Sequence, residues 1–359
     1  MDELLVDLDA ALALRERGAL LIDVRSPAEF AEATIPGALN LALFSNEERA
    51  RVGLVYKQQG ASAARLLAVE LVAPRIPSLV HAVLAEQGER RRPVVVFCWR
   101  GGERSRALTT FLRLAGIPAQ QLRGGHKAFR RHVQDFFAAP RWGRLFVLRG
   151  LTGVGKTRFL HLLRERGHAI IDLEALAGHR GSAFGALGLA PQPGQKLFEA
   201  LLWDELRKIP ADGWALAEGE SRHIGKCLLP VSVYQSLQQE TSLWLEASLE
   251  TRVARILRDY PATSAHRDLF RAPIASLRRR LGNEAVERLF GLLDGEDWAR
   301  LARELMELYY DPLYRHTLPA RRVEINVDDE AWGLAAIEEA LAACLARETP
   351  EWAPGCPHA

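Results

Sequence analysis

Short apolar runs separated by longer amphipathic stretches recur through the first third of the chain. Residues 20–24 and 94–97 are apolar almost throughout, which is typical of strands that a parallel sheet buries on both faces. The stretch after residue 103 has helical spacing and predicts Ala107, Phe111 and Leu114 on one buried face. The order strand, helix, strand, helix predicts a small α/β domain.

The remaining chain repeats this alternation. Residues 145–148 form an apolar strand that runs into a glycine-rich loop and then a helical stretch, and further apolar runs follow. The predicted fold class is therefore α/β with two domains, residues 1–138 and residues 139–359. The second domain carries a helical insertion or extension over about residues 251–315.

The composition is that of an ordinary globular enzyme. Of the 359 residues, 48% are hydrophobic and 26% are charged, which excludes a disordered chain. The net charge of +2 permits a nucleic-acid partner without indicating one. No uninterrupted apolar run approaches the ~20 residues of a membrane span, so no membrane is expected. The four cysteines show no paired spacing, which favours a reducing, cytoplasmic location.

The sequence CWRGGERS, residues 98–105, places Cys98 at the carboxyl end of a predicted strand, where ligands bind in open α/β sheets. A glycine pair before a helix N-terminus directs backbone N–H groups toward an anion and lowers the pKa of a thiol. Cys98 is therefore the candidate catalytic residue, and a buried structural cysteine is the alternative. The candidate anion-binding residues of this loop are Arg100, Gly101, Gly102, Arg104 and Ser105.

A phosphate-binding loop is the second strong signal. The pattern G-x4-G-K-T stands between a predicted strand and a predicted helix, which is the context that this motif requires. Its glycines let backbone N–H groups approach phosphate oxygens, its lysine supplies a positive charge, and its last threonine can bind Mg²⁺. The candidate phosphate-binding residues are Gly150, Thr152, Gly153, Gly155, Lys156 and Thr157.

Polar side chains follow two further strands and are expected at the same edge of the sheet as the phosphate loop. Glu218 or Glu220 is a candidate partner for a Mg²⁺-bound water, and solvated or helix-capping carboxylates are the alternative. No metal site is certain from the sequence. The candidate substrate or Mg²⁺ residues of this region are Asp172, Arg180, Ser182, Glu218, Glu220 and Arg222.

The helical segment is rich in arginine. Such a face predicts either contact with RNA phosphates or a charged surface in water. The arginines are Arg267, Arg271, Arg278, Arg279 and Arg280.

The first domain resembles the rhodanese homology domain. DVRSPAEF, IPGALN, the cysteine loop and LRGGHKAF match its pattern in order, over about residues 10–135. The resemblance implies that Cys98 carries sulfur or selenium. One departure is the spacing: Arg104 stands six residues after Cys98, whereas common single-domain rhodaneses have five. The longer loop also occurs in cysteine phosphatases of related fold, so phosphatase chemistry stays open at this point.

The fusion of both domains resembles the bacterial tRNA 2-selenouridine synthases. The segments YKQQGASAARLLAVELV, CWRGGERS, LTGVGKT, DLEALAGHRGSAFG, EGESRHIG and YYDPLYR follow that family's order over nearly the whole chain. The resemblance implies an enzyme acting on the 2-thiouridine at the wobble position of tRNA. It geranylates the 2-thio group with geranyl diphosphate and then replaces the S-geranyl group by selenium from selenophosphate.

The same resemblance implies these three partners, tRNA, geranyl diphosphate and selenophosphate, with no tightly bound cofactor and with Mg²⁺ as an open question. It assigns the geranyl diphosphate head to the phosphate loop with Lys156, and selenium handling to Cys98. Five apolar residues are candidates for the geranyl pocket by neighbourhood alone, with ordinary core positions as the alternative: Leu187, Leu189, Leu197, Phe198 and Trp203.

Three other functions remain open from the residues. A cysteine phosphatase with a regulatory NTPase domain accounts for the loop length. A rhodanese sulfurtransferase coupled to an ATP-using domain and acting on RNA accounts for both loops. A tRNA-binding or sulfur-carrier module with a vestigial phosphate loop is the non-enzymatic alternative, and the intact loop residues argue against it.

Overall fold

The fold is described from a computed structural model, which covers residues 4–88, 91–260, 266–315 and 318–346. The chain divides into two compact units near residue 137, with residues 199–201 grouped with the first. Each unit is built around its own parallel five-stranded sheet. The predicted fold class, two α/β domains with a largely helical segment late in the chain, is confirmed.

The first unit has a sheet of strand order β1-β5-β4-β2-β3. Its strands are β1 (Leu5–Val6), β2 (Leu20–Asp23), β3 (Leu39–Asn40), β4 (Val94–Phe97) and β5 (Ala119–Leu122). Its helices are α1 (Leu8–Glu16), α2 (Pro27–Glu32), α3 (Asn46–Val72), α4 (Ile76–Gln87), α5 (Glu103–Leu114) and α6 (Gly125–Ala138). Every residue of β2 and β4 is buried, as the apolar runs predict for central parallel strands.

Helix α5 buries a different face from the one predicted. Phe111 is 36% exposed and Leu114 is 78% exposed, whereas Leu108 and Leu112 are buried together with Ser105 and the threonine at 109. The helix starts directly after the cysteine loop, so the loop sets which face meets the sheet. The buried hydroxyl of the threonine at 109 donates to the Ser105 carbonyl oxygen at 2.8 Å, so it is satisfied within the helix. The prediction followed the larger apolar side chains and was wrong.

Helices α3 and α4 are joined by a 3₁₀ turn, and α3 is kinked at Gly60, where φ is +87°. By length and composition alone, Asn46–Gln87 is apolar enough to cross a membrane. The sequence expectation missed it because it counted uninterrupted apolar residues. A single helix of this kind is weak evidence for a membrane span; Val72, Leu79 and Val83 pack into the core of the first unit, but only 17% of its apolar window is buried.

The second unit has a sheet of strand order β12-β11-β6-β8-β7 and a separate hairpin of β9 and β10. Its strands are β6 (Arg144–Gly150), β7 (Ile170–Ile171), β8 (Trp214–Glu218), β9 (His223–Ile224), β10 (Cys227–Leu228), β11 (Ser242–Glu246) and β12 (Arg322–Asn326). Its helices are α7 (Lys156–Glu165), α8 (Leu173–Ala177), α9 (Gln195–Leu206), α10 (Val231–Gln239), α11 (Leu249–Asp259), α12 (Arg267–Ser276), α13 (Arg278–Asp294), α14 (Trp298–Leu305), α15 (Asp311–Arg315) and α16 (Glu330–Ala346).

Helices α11 to α15, with one π-helical turn at Met306–Tyr310, form the helical segment. Its own apolar cluster includes Phe270, Leu289 and Leu301. Several of its arginines form ion pairs within the segment: Arg267 with Glu296, Arg271 with Asp294 and Arg278 with Glu287.

Candidate active sites

Two glycine-rich loops cross each other around Cys98. Strand β4 ends one residue before Cys98, and the loop that follows starts α5 at Glu103. At Gly125 a Cβ atom would lie 2.2 Å from the Cys98 carbonyl oxygen, and at Gly101 one would lie 2.5 Å from the Leu122 carbonyl oxygen. Both glycines also have positive φ, +64° at Gly101 and +58° at Gly125. The two loops can therefore pack backbone on backbone only because both positions are glycine.

The Cys98 sulfur sits among hydrogen-bond donors. The Gly102 N–H donates to Sγ at 3.2 Å, and the Ser105 hydroxyl lies 3.2 Å from Sγ. The Gln121 side-chain amide donates to the Ser105 oxygen at 2.9 Å and so orients that hydroxyl. Burial raises the pKa of the Cys98 thiol, but the hydrogen bonds from Ser105 and Gly102 and the charge of Arg104 outweigh it, so the pKa lies below its ordinary value. The arrangement favours a thiolate.

The arginines of the cysteine loop are placed differently from one another. Arg104 donates to the Glu29 carboxylate at 2.8 Å, so part of its charge is neutralised within the unit. Burial raises the pKa of Glu29, but the hydrogen bonds from Arg104 and Ser26 and the charges of Arg104 and Arg49 outweigh it, so the pKa lies below its ordinary value. Arg100 is exposed, and no ion pair joins it to another described residue. Arg100 is thus the arginine available to an incoming anion.

A buried charge pair beneath the loop was not predicted. Arg25 forms a bidentate ion pair with Asp23, with Nη2 donating to Oδ2 at 2.6 Å and Nε to Oδ1 at 3.0 Å, and its Nη1 lies 3.4 Å from Nδ1 of His126. His126 in turn donates its backbone N–H to the Cys98 carbonyl oxygen at 2.9 Å. The segments DVRSPAEF and LRGGHKAF contain these residues, but nothing in their spacing indicates that they meet.

The phosphate loop begins at the centre of the second sheet, where Gly150 is paired with Leu245 of β11. A Cβ atom at Gly150 would lie 2.4 Å from the Leu245 carbonyl oxygen, and one at Gly153 would lie 2.9 Å from the Arg252 carbonyl oxygen. Gly153 and Gly155 have φ of +83° and +88°. All three glycines are therefore needed for the shape of the loop.

The side chains of Lys156 and Thr157, at the end of the phosphate loop, both form hydrogen bonds within the second unit. Lys156 Nζ donates to the Gly150 carbonyl oxygen at 3.2 Å, so the ammonium group lies across the mouth of the loop. The Thr157 hydroxyl donates to a Glu174 carboxylate oxygen at 3.2 Å. Glu174 was not among the predicted site residues, although it belongs to the segment DLEALAGHRGSAFG. It stands where a carboxylate partner of the loop is expected.

Two arginines of α11 hold the phosphate loop from outside. Arg252 donates to the Thr152 carbonyl oxygen at 3.3 Å and forms a buried bidentate pair with Asp311, at 2.8 Å and 2.7 Å. Arg255 donates to the Val154 carbonyl oxygen at 2.7 Å. The sequence did not point to either residue, because both are distant from the loop motif along the chain.

The predicted carboxylates are more deeply buried than expected. Glu218 is 0% exposed, accepts the Glu174 N–H at 2.7 Å, and has its second oxygen without a partner among the described residues. Burial first, and the charge of Asp172 second, raise the pKa of Glu218 well above its ordinary value. Burial and the neighbouring Glu174 raise the pKa of Glu220 to about 8. Burial thus favours the neutral form of both carboxyl groups while no cation is bound beside them.

The other predicted residues of this region take several roles. Asp172 caps α8 by accepting the N–H of the alanine at 175 at 2.8 Å, and it pairs with His161 at 2.6 Å. Arg180 donates to the Leu187 carbonyl oxygen at 2.8 Å. Arg222 is exposed beside the hairpin and outside the cleft described next.

A wide cleft opens beside the phosphate loop. It has about 1200 Å³ of empty space counted to its open mouth, and Gly150, Ser182 and Glu220 contribute to its wall. Five aromatic side chains also line it: Tyr234, Trp244, Tyr309, Tyr310 and Tyr314. A cleft of this size with aromatic walls and a few polar groups fits a planar ring such as a nucleobase.

The described residues include no group of three His, Cys, Asp or Glu side chains that could hold a metal ion. Mg²⁺ needs less than that, because it is usually held by one or two protein oxygens together with substrate phosphates and water. Thr157 and Glu174 place two such oxygens at the phosphate loop, and burial raises the pKa of Glu174 as it does those of Glu218 and Glu220.

Comparison with known proteins shows that both domains match sequence profiles found in one protein family. Residues 143–343 match the sequence profile of the tRNA 2-selenouridine synthase AAA domain, and residues 7–132 match that of the Rhodanese-like domain. A tRNA 2-selenouridine synthase of Nitrosomonas europaea is 33% identical, over 89% of this chain and 94% of that protein. The chain belongs to the tRNA 2-selenouridine synthase family. A family member of Bordetella bronchiseptica is 38% identical, over 86% of this chain and 90% of its own.

Among solved structures, a human single-domain sulfurtransferase is 25% identical, covering 36% of this chain and 96% of its own, with a TM-score of 0.23. The relatives named as tRNA 2-selenouridine synthases span both domains, so family membership accounts for the cysteine loop and the phosphate loop together.

Proposed function

We propose that this protein converts the wobble 2-thiouridine of tRNA to 2-selenouridine in two steps, with geranyl diphosphate and selenophosphate as co-substrates. The observation that carries the proposal is the phosphate loop opening into an aromatic cleft of nucleobase size. A diphosphate on the loop and a base in the cleft would lie next to each other. Family membership supports tRNA as the substrate, because the relatives are named for it.

In the first step, the thione sulfur forms a bond to C1 of the geranyl group while the C1–O bond to diphosphate breaks. The base loses its N3 proton, and diphosphate leaves with the bonding electron pair. The positive charge of Lys156 and the backbone N–H groups of the loop would stabilise the charge that develops on the leaving group. Mg²⁺ bound by Thr157, Glu174 and the phosphates would supply further neutralisation.

In the second step, selenium from selenophosphate adds to C2 of the S-geranylated base, and geranylthiol leaves. Water then takes up the phosphoryl group, so that phosphate is released and the C2–selenium bond remains. The Cys98 loop suits this step because its glycine N–H groups, its hydroxyl and the exposed Arg100 favour an anion at the thiolate. Cys98 would receive selenophosphate there, with selenium kept at the oxidation level of selenide until it adds to C2.

The test is mass spectrometry of the wobble nucleoside after incubation of the protein with 2-thiouridine-containing tRNA, geranyl diphosphate and then selenophosphate. We expect geranylated nucleoside from the wild type and from Cys98→Ala, and selenouridine from the wild type only. We expect Lys156→Ala to lower geranylation by about 100-fold or more, as for loss of a group that stabilises a leaving group. Normal geranylation by Lys156→Ala would remove the phosphate loop from the first step.

A further inference from the structure

A second, smaller cavity also adjoins the phosphate loop, among helices of the helical segment. It has about 560 Å³ of empty space counted to its open mouth. Its wall is formed largely by carbon atoms of α11, α12, α14 and the π-helical turn. The apolar residues lining it include Ile256, Leu257, Phe270, Leu301, Ala302 and Met306.

The few polar side chains in this wall are largely occupied with one another. The Ser182 hydroxyl lies 3.3 Å from the Tyr260 hydroxyl, within hydrogen-bond distance. Thr152, Tyr310 and the indole of Trp298 supply the other polar groups of the lining. A guest in the cavity would therefore meet carbon along most of its length, which selects an apolar chain over a polar one.

The cavity adjoins both the loop and the cleft. A Cβ atom at Gly153 would lie 3.0 Å from Met306 Cε and 3.1 Å from Ile256 Cγ1, so the loop backbone contacts the apolar lining directly. Thr152 of the loop is itself part of the lining. Ser182 and Tyr310 line both this cavity and the wide cleft. A phosphate site, an apolar cavity and an aromatic cleft are thus contiguous.

We propose that the apolar cavity holds the prenyl chain of the allylic diphosphate, with its diphosphate on the phosphate loop and its reactive carbon facing the aromatic cleft. The assignment rests on the proposed geranylation. It replaces the residues suggested by neighbourhood in the sequence, because Phe198 and Trp203 are fully buried core residues and neither lines the cavity.

The first experiment compares the binding of geranyl diphosphate, dimethylallyl diphosphate and inorganic pyrophosphate to the full chain by calorimetry. Geranyl diphosphate has five more carbon atoms than dimethylallyl diphosphate, and burying them strengthens binding. We expect geranyl diphosphate to bind at least about 30-fold more tightly. Equal affinity for the two prenyl diphosphates would overturn the assignment.

A matched pair of variants on α14 tests where the prenyl chain binds. Ala302 is 8% exposed and lines the cavity, whereas Ala299, three residues earlier on the same helix, is exposed. We expect Ala302→Phe to abolish the preference for geranyl over dimethylallyl diphosphate while pyrophosphate binds as in the wild type. Ala299→Phe keeps the preference.

Pyrophosphate binding also reports whether the variant is folded, and Ala302→Val gives a milder filling of the same space if Ala302→Phe does not fold. Equal preference in the variants at 302 and at 299 would place the chain elsewhere. A wild type that selects geranyl diphosphate through Ala302 but yields no geranylated nucleoside would retain the cavity assignment and refute the proposed first step.

Discussion

At the scale of single residues, the reactivity of Cys98 depends on a neighbour that carries no charge. The Ser105 hydroxyl, held by the Gln121 amide, is 3.2 Å from the sulfur and stabilises the thiolate. The longer cysteine loop places this serine, not an arginine, next to the sulfur, and Arg104 is drawn aside by Glu29. Hydrogen bonding and backbone N–H groups thus contribute as much to this site as formal charge does.

Ser105→Ala tests this contribution. Without the hydroxyl the thiolate loses a donor, so we expect the pKa of Cys98 to rise and the reaction with a thiol reagent at neutral pH to slow by several-fold. Reaction rate against pH measures the shift. Thr110→Ala, which removes an exposed hydroxyl from the same helix, serves as the control. An unchanged rate profile in Ser105→Ala would mean that the hydroxyl does not stabilise the thiolate.

Gly153→Ala tests the shape of the phosphate loop. The new methyl group would meet the Arg252 carbonyl oxygen and Met306 at a position of φ +83°. We expect pyrophosphate binding to weaken by about tenfold or more. Gly167→Ala is the control, because Gly167 has φ of +91° and open space around it. That variant shares the backbone strain and is expected to bind pyrophosphate normally.

At the scale of elements, α11 organises the second site. Its arginines reach the phosphate loop, and its side chains form one wall of the apolar cavity. Its N-terminus is fixed by Asp328, which accepts hydrogen bonds from the Ser248 N–H at 2.9 Å and the Ser248 hydroxyl at 2.8 Å. Hydrogen bonds from Thr251 and Ser248 lower the pKa of Asp328 to about 2.

A pH-dependent loss of stability follows from this contact. Because the pKa of Asp328 is depressed on folding, its contribution is complete above about pH 4 and is lost as pH falls through about 2. We expect Asp328→Ala to lower the free energy of unfolding by about 1 kcal/mol at pH 6, after allowing for its exposure to solvent. Urea titrations at several pH values measure the difference from wild type. A difference that persists unchanged at pH 2 would contradict this origin.

The elements also show where sequence reasoning succeeds. The positions of the two glycine-rich loops between a strand and a helix were predictable because each loop is a contiguous sequence motif. Glu174, Arg252 and Arg255 were missed because they reach the phosphate loop from other elements. The buried face of α5 was mispredicted because it includes Ser105, whose hydroxyl contacts the Cys98 sulfur. Hydrophobic periodicity does not detect a buried polar side chain of this kind.

At the scale of the whole molecule, each site is built from residues of one unit. The site around Cys98 is formed by β4, α5 and the β5–α6 loop, and the site around the phosphate loop is formed by β6, α7 and α11. We therefore expect substitutions in the two units, which share no residue in either site, to have independent effects. Ser105→Ala is expected to leave pyrophosphate affinity unchanged, and Gly153→Ala to leave the thiol rate profile unchanged. The double variant then shows the two separate losses and no more, whereas a departure would reveal energetic coupling between the units.

The wall that Ser182 and Tyr310 form between the apolar cavity and the aromatic cleft has a consequence for the history of the family. A substitution at either position changes the apolar cavity and the aromatic cleft together. The proposed prenyl site therefore cannot change there without also changing the proposed base site. Ala302 and Leu301 face the apolar cavity and not the cleft. Family members that use a longer or shorter prenyl chain are therefore expected to differ first at Ala302 and Leu301, while Ser182 and Tyr310 stay the same.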